Sequence, residues 1–217
     1  MLLSTAYFPP VEYLALLARD MVVPSQDSIL PSHAFLEACE NFQKQSYRNR
    51  CCILASDGVQ LLQVPVVHGS SWAIREVCID YSTPWVVRTQ RALDTAYETA
   101  AYYEYYRDGV FALLDARPQT LWELNLSSLR FLLEKTGIAC TLEPTQAFAA
   151  PGSVPDDYRT ALHPKRSNTV LQDLGLDKPY YQVFRDRLGG FTPGLSALDL
   201  LFNEGPDSLL WLKPLAR

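Results

Sequence analysis

Between Glu40 and Arg50 the chain sets three cations, Lys44, Arg48 and Arg50, among amide and hydroxyl side chains, then enters an apolar run at Cys51-Cys52-Ile53-Leu54. A polar cluster so close to a core element points to something it must bind. Arginine offers a planar fork of donors and a permanent charge, which suits a phosphate or carboxylate. If the approach to Cys51 is extended, side chains alternate in direction. Arg48 and Arg50 then face one way and Tyr47 and Asn49 the other. Arg48 and Arg50 would hold one diphosphate or carboxylate, with Asn49 and Gln43 orienting an acceptor. The same residues admit a second account, in which both arginines pair with internal carboxylates such as Glu40, Asp80 or Asp199. A third, an RNA-binding patch, runs against the net charge of −5.

A second centre lies near the C-terminus. Asp199 and Asn203 are four apart and share one face of a helix, where they could present a carboxylate and an amide to a pocket. Asp199 is the candidate general base. It equally fits a capping role in Ser196-Ala197-Leu198-Asp199, favoured by the helix dipole. His33, His68 and His163 are too scattered for metal-ligand spacing, and the five cysteines include no CxxC. No metal and no cofactor are therefore expected. P-loop, GxGxxG, HExxH and GxSxG patterns are absent from the sequence.

These residues need elements to hold them. Residues 2–8 read as a strand stopped by Pro9-Pro10, Val11–Arg19 as a helix, Met21–Val23 as a second strand and 24–31 as a loop. Asp57-Gly58 predicts a hairpin between 51–56 and 59–67. Residues 73–81 alternate as a further strand. A helical stretch spans 84–107 with Trp85, Ala92, Ala96 and Tyr103 on one face; Tyr102-Tyr103-Glu104-Tyr105-Tyr106 reads as core rather than a sugar platform. Thr120-Leu121-Trp122-Glu123 is a capping box opening a helix that ends at Gly137, with Leu121, Leu124, Ser128, Phe131 and Leu132 buried. Four prolines between 144 and 168 predict a long loop or arm, a lid or a partner-binding segment. A last helix runs from Ser196 to about Asn203.

At 217 residues with 48% hydrophobic and 20% charged side chains, the chain is an ordinary globular protein. The expected architecture is a single α/β or α+β domain over 1–217. A mixed central sheet comes from the N-terminal half, and the C-terminal half is mainly helical. Five reduced thiols, no signal peptide and no apolar segment of the ~20 residues that cross a bilayer predict a cytoplasmic protein.

Tyr7-Phe8-Pro9-Pro10 with Tyr13, then Glu40–Arg50, then Leu195-Ser196-Ala197-Leu198-Asp199-Leu200-Leu201-Phe202-Asn203 resemble, in that order, the WbqC-like family. Val64-Pro65-Val66 and Ile79-Asp80-Tyr81 with Trp85 fit the same pattern. The resemblance covers nearly the whole chain. It implies a bacterial setting among genes for surface polysaccharide and O-antigen synthesis, and it marks Gln43, Arg48, Asn49, Arg50, Trp85, Asp199 and Asn203 as matched polar positions. Thr5-Ala6 stands where other members often carry Gln-Pro, so any contact made by that glutamine is missing. The implied activity is a transferase acting on an activated sugar, such as a nucleotide sugar, or a similar anionic small molecule. The alternative is a non-catalytic assembly subunit that uses the arm at 144–168.

Overall fold

The computed structural model describes residues 1–25, 28–67, 72–176 and 178–213. Strand β1 (Leu2–Ser4) is shorter than the predicted 2–8. The Tyr7 amide leaves the sheet to donate to the Tyr47 carbonyl at 2.8 Å, and Phe8 turns to φ +38°, outside the range of a strand. Helix α1 (Val11–Arg19) has the predicted bounds and is buried from Val11 to Ala18, Glu12 included. It therefore runs through the interior rather than along the surface.

Strands β2 (Val22–Ser25) and β3 (Ser28–Leu30) pair antiparallel, so part of the segment expected as a loop is strand. Strand β4 (Ser32–Glu37) was not expected. It does alternate, Ala34 and Leu36 buried against His33 and Phe35 exposed, and its one carboxylate, Glu37, points to the inside. Next, Gln43–Arg48 forms a turn, not an extended approach. Gln45 has φ +60° and the Ser46 hydroxyl donates to the Gln43 carbonyl at 2.6 Å. Strands β5 (Arg50–Ala55) and β6 (Gly58–Gln63) then make the hairpin predicted from Asp57-Gly58.

Residues 73–81 do not form a strand. They contain a 3₁₀ turn at Ile74–Glu76 and isolated bridges only. Their backbone partners are split: Ile74 donates to Glu40, Ile79 to Gln119 and Asp80 to Pro65, while Val77 accepts from Leu121. No single neighbour runs alongside long enough for a ladder.

The predicted 84–107 stretch is two helices, α2 (Trp85–Tyr97) and α3 (Tyr103–Asp115). Between them the Tyr102 amide is drawn to the Phe202 carbonyl at 2.9 Å. The Tyr102 ring also lies where a Cβ on Gly205 would sit, 2.4 Å away, so only glycine fits there. Helix α4 (Leu121–Thr136) carries the predicted capping box in full and ends on Gly137 at φ +72°. Leu121, Leu124, Ser128 and Leu132 are buried, whereas Phe131 is half-buried and lies against Gly109. Strand β7 (Cys140–Pro144), also unexpected, precedes the irregular arm. After it come α5 (Val170–Asp173), α6 (Ala197–Glu204), a second 3₁₀ turn and α7 (Ser208–Leu212).

The chain is thus α/β. Its main sheet is parallel, in the order β1-β4-β7, with antiparallel pairs β2-β3 and β5-β6 beside it. Helix α1 packs on β4. All three parallel strands end on the same side, at Ser4, Glu37 and Pro144. The arm returns to the outer edge of β1, where Leu2 donates to Asp156 at 2.8 Å and accepts from Tyr158 at 2.9 Å. That contact closes an edge otherwise open to pairing with another chain. Among the described residues, no helix is long and apolar enough to cross a membrane.

The Thr120 hydroxyl accepts from Glu123 N at 3.2 Å while Glu123 returns a carboxylate to Thr120 N at 3.0 Å. Thr120→Ala is expected to cost about 1 kcal/mol in urea unfolding, with the m-value unchanged.

Candidate functional site

The site is built at the carboxyl end of the parallel strands, where open α/β sheets commonly take their ligands. Glu37, the last residue of β4, is fully buried. Its Oε1 accepts from Cys39 N at 3.0 Å and from the Thr145 hydroxyl at 2.6 Å. Its Oε2 accepts from Ala149 N at 3.1 Å and from Arg159 Nη1 at 2.9 Å. Four donors, three of them on the arm, thus converge on one carboxylate. Arg159 in turn holds Asp157 in a fork, Nε to Oδ1 at 2.9 Å and Nη2 to Oδ2 at 2.6 Å, which keeps the Asp157 carboxyl below its ordinary range. The Phe148 ring lies 5.3 Å from the same guanidinium.

A matching pair stands opposite. Arg48 grips Glu40 through Nε at 2.8 Å and Nη2 at 2.5 Å, and Nη2 also donates to the Ser4 hydroxyl at 2.7 Å. Ser4 donates to Glu40 at 3.1 Å. Both members of the ion pair are about 5% exposed. The Asn125 amide on α4 fixes the backbone here by donating to the Arg48 carbonyl at 2.8 Å. Between these two pairs opens a cleft of about 640 Å³, lined by Asn41, Gln43, Glu40 and Arg48 on one wall and by Phe148, Val154, Asp157 and Arg159 on the other. The arm is therefore one wall of a cleft, as well as an edge cover.

The sequence-derived candidates fall in three places. Gln43 and Arg48 line the large cleft. Asn49 and Arg50 line a separate cleft of about 260 Å³ with Lys44, Gln45, Gln63 and Asp80. The turn explains the division: Arg48 precedes the strand and faces Glu40, whereas Arg50 begins β5 and donates to Gln63 at 3.0 Å. Of the two accounts left open for Arg48, the geometry realises pairing with Glu40. Asp199, Asn203 and Trp85 are buried and line neither cleft. Trp85 lies 5.7 Å from the Tyr81 ring, and Asn203 donates within its own helix to the Asp199 carbonyl at 2.8 Å. His68 lies outside the described residues. Glu37, Asp157, Arg159 and Asn125 were not singled out from sequence. A carboxylate closing the apolar alternation of β4 is the one signal that pointed to any of them.

Asp199 does not cap its helix. Ser196 does so alone, accepting from Leu198 N at 3.2 Å. The Asp199 carboxylate points inward and accepts from Tyr97 at 2.8 Å, Tyr180 at 2.7 Å and Gln182 at 3.1 Å. Burial outweighs these three bonds and pushes its pKa up to about 6. The first and last segments named by the sequence resemblance meet at the start of this helix, which also reaches β5. The Ser196 hydroxyl donates to Phe8 O at 2.9 Å, Ser196 N to Cys52 O at 2.7 Å, and Ala197 N to Pro9 O at 2.8 Å.

Two outcomes follow from this geometry. Glu37→Ala leaves Arg159 and three further donors without their acceptor, and a broken buried pair costs about 3–5 kcal/mol. Hydrogen exchange is expected to rise first in 145–159. For Asp199, the folded pKa of about 6 exceeds the unfolded value of about 4. Its favourable contribution is complete below about pH 4 and is lost as pH rises through about 6. Wild type should therefore lose stability relative to Asp199→Asn between those values. A pH-independent difference in urea unfolding would contradict the raised pKa.

Comparison with known proteins supports the family resemblance over most of the chain, though the family match ends before the motif at 195–203. The model of the WbqC-like protein family matches residues 6–163. Uncharacterized protein Rv1507c of Mycobacterium tuberculosis (strain ATCC 25618 / H37Rv) is 29% identical over 197 residues, covering 79% of this chain and 84% of that protein. No solved structure matches. The matched span, 73% of the chain by count of residues 6–163, holds α1, β4, the Gln43–Arg50 turn, both clefts and the arm as far as His163, and on that ground the chain belongs to the WbqC-like protein family.

Proposed function

We propose that the chain is an enzyme acting on an activated sugar, a transferase in bacterial surface-polysaccharide synthesis, with the sugar held in the 640 Å³ cleft. The observation that carries this reading is the cleft's lining. Planar polar groups (Asn41, Gln43, Arg48, Arg159 and Asp157) stand beside Phe148, Pro151, Val154 and Pro155. Sugars present hydroxyls that pair with planar amide, guanidinium and carboxylate groups, and C–H faces that rest on apolar surface. The ion pairs hold Arg48, Arg159 and Asp157 in place before any ligand arrives, which lowers the cost of binding.

Arg48 has Nε and Nη2 committed to Glu40 and Ser4, and Nη1 is the donor this reading gives to the sugar. Asp199 has the basicity for proton transfer near neutrality but lines neither cleft. We assign it to positioning: through Tyr97, whose hydroxyl also accepts from Leu54 N at 3.3 Å, it ties α6 to β5. The competing reading, an assembly subunit reaching a partner with the arm, needs that arm free. Its bonds to Leu2, Leu36 and Glu37 count against this.

Gln43 is exposed on the cleft wall, so Gln43→Ala should leave stability within about 0.5 kcal/mol of wild type. A nucleotide sugar at 100 times its Kd stabilises the native state by ~2.7 kcal/mol, roughly 5–10 °C in midpoint for a chain this long. One nucleotide sugar of a panel is expected to give that shift, and Gln43→Ala to reduce it. If no member of the panel moves the midpoint, the sugar reading fails.

A further inference from the structure

We propose that the smaller cleft, on the other side of the Gln43–Arg50 turn, is a separate oxyanion subsite in which Lys44 and Arg50 take a phosphate or carboxylate. The inference rests on the proposed function and deepens it, since it gives a charged group of one of the two substrates a place apart from the sugar cleft.

The charge balance of the two clefts carries the argument. In the large cleft both cations are already answered, Arg48 by Glu40 and Arg159 by Asp157, with Glu37 behind Arg159 as a third carboxylate. An incoming anion there meets guanidinium groups whose forks are occupied and carboxylates that repel it. The smaller cleft is lined by two cations, Lys44 and Arg50, and one carboxylate, Asp80. Among the described residues, neither cation lies within 4.0 Å of a carboxylate oxygen. Asp80 is itself engaged, accepting from Ser82 N at 2.8 Å.

The cations are also held in place. Among the described residues Arg50 bonds only through Nε, to Gln63 at 3.0 Å, which keeps both terminal nitrogens for a bidentate contact. Lys44 Nζ stands 5.2 Å from the Trp72 ring centroid, and Trp72 stacks on Phe42 with the two planes 12° apart. Asn49, 4% exposed, supplies a second kind of signal. Its Nδ2 donates to the Val64 carbonyl at 2.9 Å, and among the described residues its Oδ1 has no hydrogen-bond partner. A buried acceptor left unmatched is costly, and Asn49 is one of the residues that line this cleft. The volume of about 260 Å³ is below the roughly 300–1,000 Å³ of sites that take a whole drug-sized ligand. That is room for a charged group and its immediate attachment.

Titration calorimetry with three probes tests the subsite: glucose 1-phosphate, glucuronate and glucose, against wild type, Arg50→Gln, Lys44→Gln and Gln43→Ala. Circular dichroism and urea midpoints confirm that each variant is folded. Charged hydrogen bonds of this kind set the expected loss at roughly tenfold or more in affinity. At least one anionic probe is expected to bind wild type more tightly than glucose. Its affinity should fall by that factor in both Arg50→Gln and Lys44→Gln, and the advantage over glucose should survive in Gln43→Ala. Whether the phosphate or the carboxylate gains more identifies the group the cleft prefers. Equal affinity for anionic and neutral probes overturns the subsite. So does an anion preference that Gln43→Ala abolishes and Arg50→Gln leaves intact, although that result keeps the sugar reading and moves the charge into the large cleft. Failure of every anionic probe to bind overturns the subsite alone, because neutral glucose tests the large cleft independently of it.

Discussion

One carboxylate organises the end of the molecule that carries the large cleft. Glu37 ends the central strand with no access to water, and an ionised carboxylate is not left there without partners. Its four donors come from Cys39, Thr145, Ala149 and Arg159, so satisfying it draws more than a hundred residues of intervening chain back to one point. The arm has four prolines and little regular structure, yet its course is fixed by this contact and by the two backbone bonds at Leu2. Arg159 passes the constraint on to Asp157, and the far wall of the large cleft takes its shape from that pair.

The opposite wall depends on a similar arrangement with shorter reach. Arg48 and Glu40 are only eight residues apart, and the turn between them bends because Gln45 takes a positive φ and Ser46 binds back to Gln43. The turn does more than close the pair. By ending just before β5 it sends Arg48 and Arg50, two residues apart, into different clefts. Alternation along an extended strand would have put them together. The polar stretch therefore serves two surfaces with one segment.

Much of the local structure was legible in the sequence because it rests on short-range rules. The bounds of α1, the hairpin at Asp57-Gly58 and the box at Thr120 each need only a few neighbouring residues to specify them. The failures involve distant partners. Strand β4 was hidden because Ser32 and His33 dilute its apolar pattern, and it is stabilised by β1 and β7 rather than by its own composition. Residues 73–81 alternate like a strand, but their amides find acceptors on three unrelated segments. Of the site, the cluster at 43–50 was visible as chemistry, whereas Glu37 and Arg159 were not. A carboxylate and an arginine 122 positions apart carry no spacing signal. Asp199 was visible as a residue but not as an environment, since Tyr180 and Gln182 reach it from an irregular segment.

The parallel order of the main sheet has a consequence for synthesis and folding. Strand β4 pairs with β1 as soon as the first forty residues are available, but its other neighbour, β7, lies about a hundred residues later, beyond a hairpin and three helices. Until that point the central strand is an edge strand, with its unpaired amides and carbonyls and the Phe35 side chain open to any passing chain. Distant pairing of this kind slows folding and lengthens exposure to misassembly. The arm follows β7 in the chain and covers the sheet at β1. The far wall of the large cleft is thus completed only after β7 has joined the sheet, and a chain stalled before residue 144 lacks that wall while already holding every residue that lines the smaller cleft.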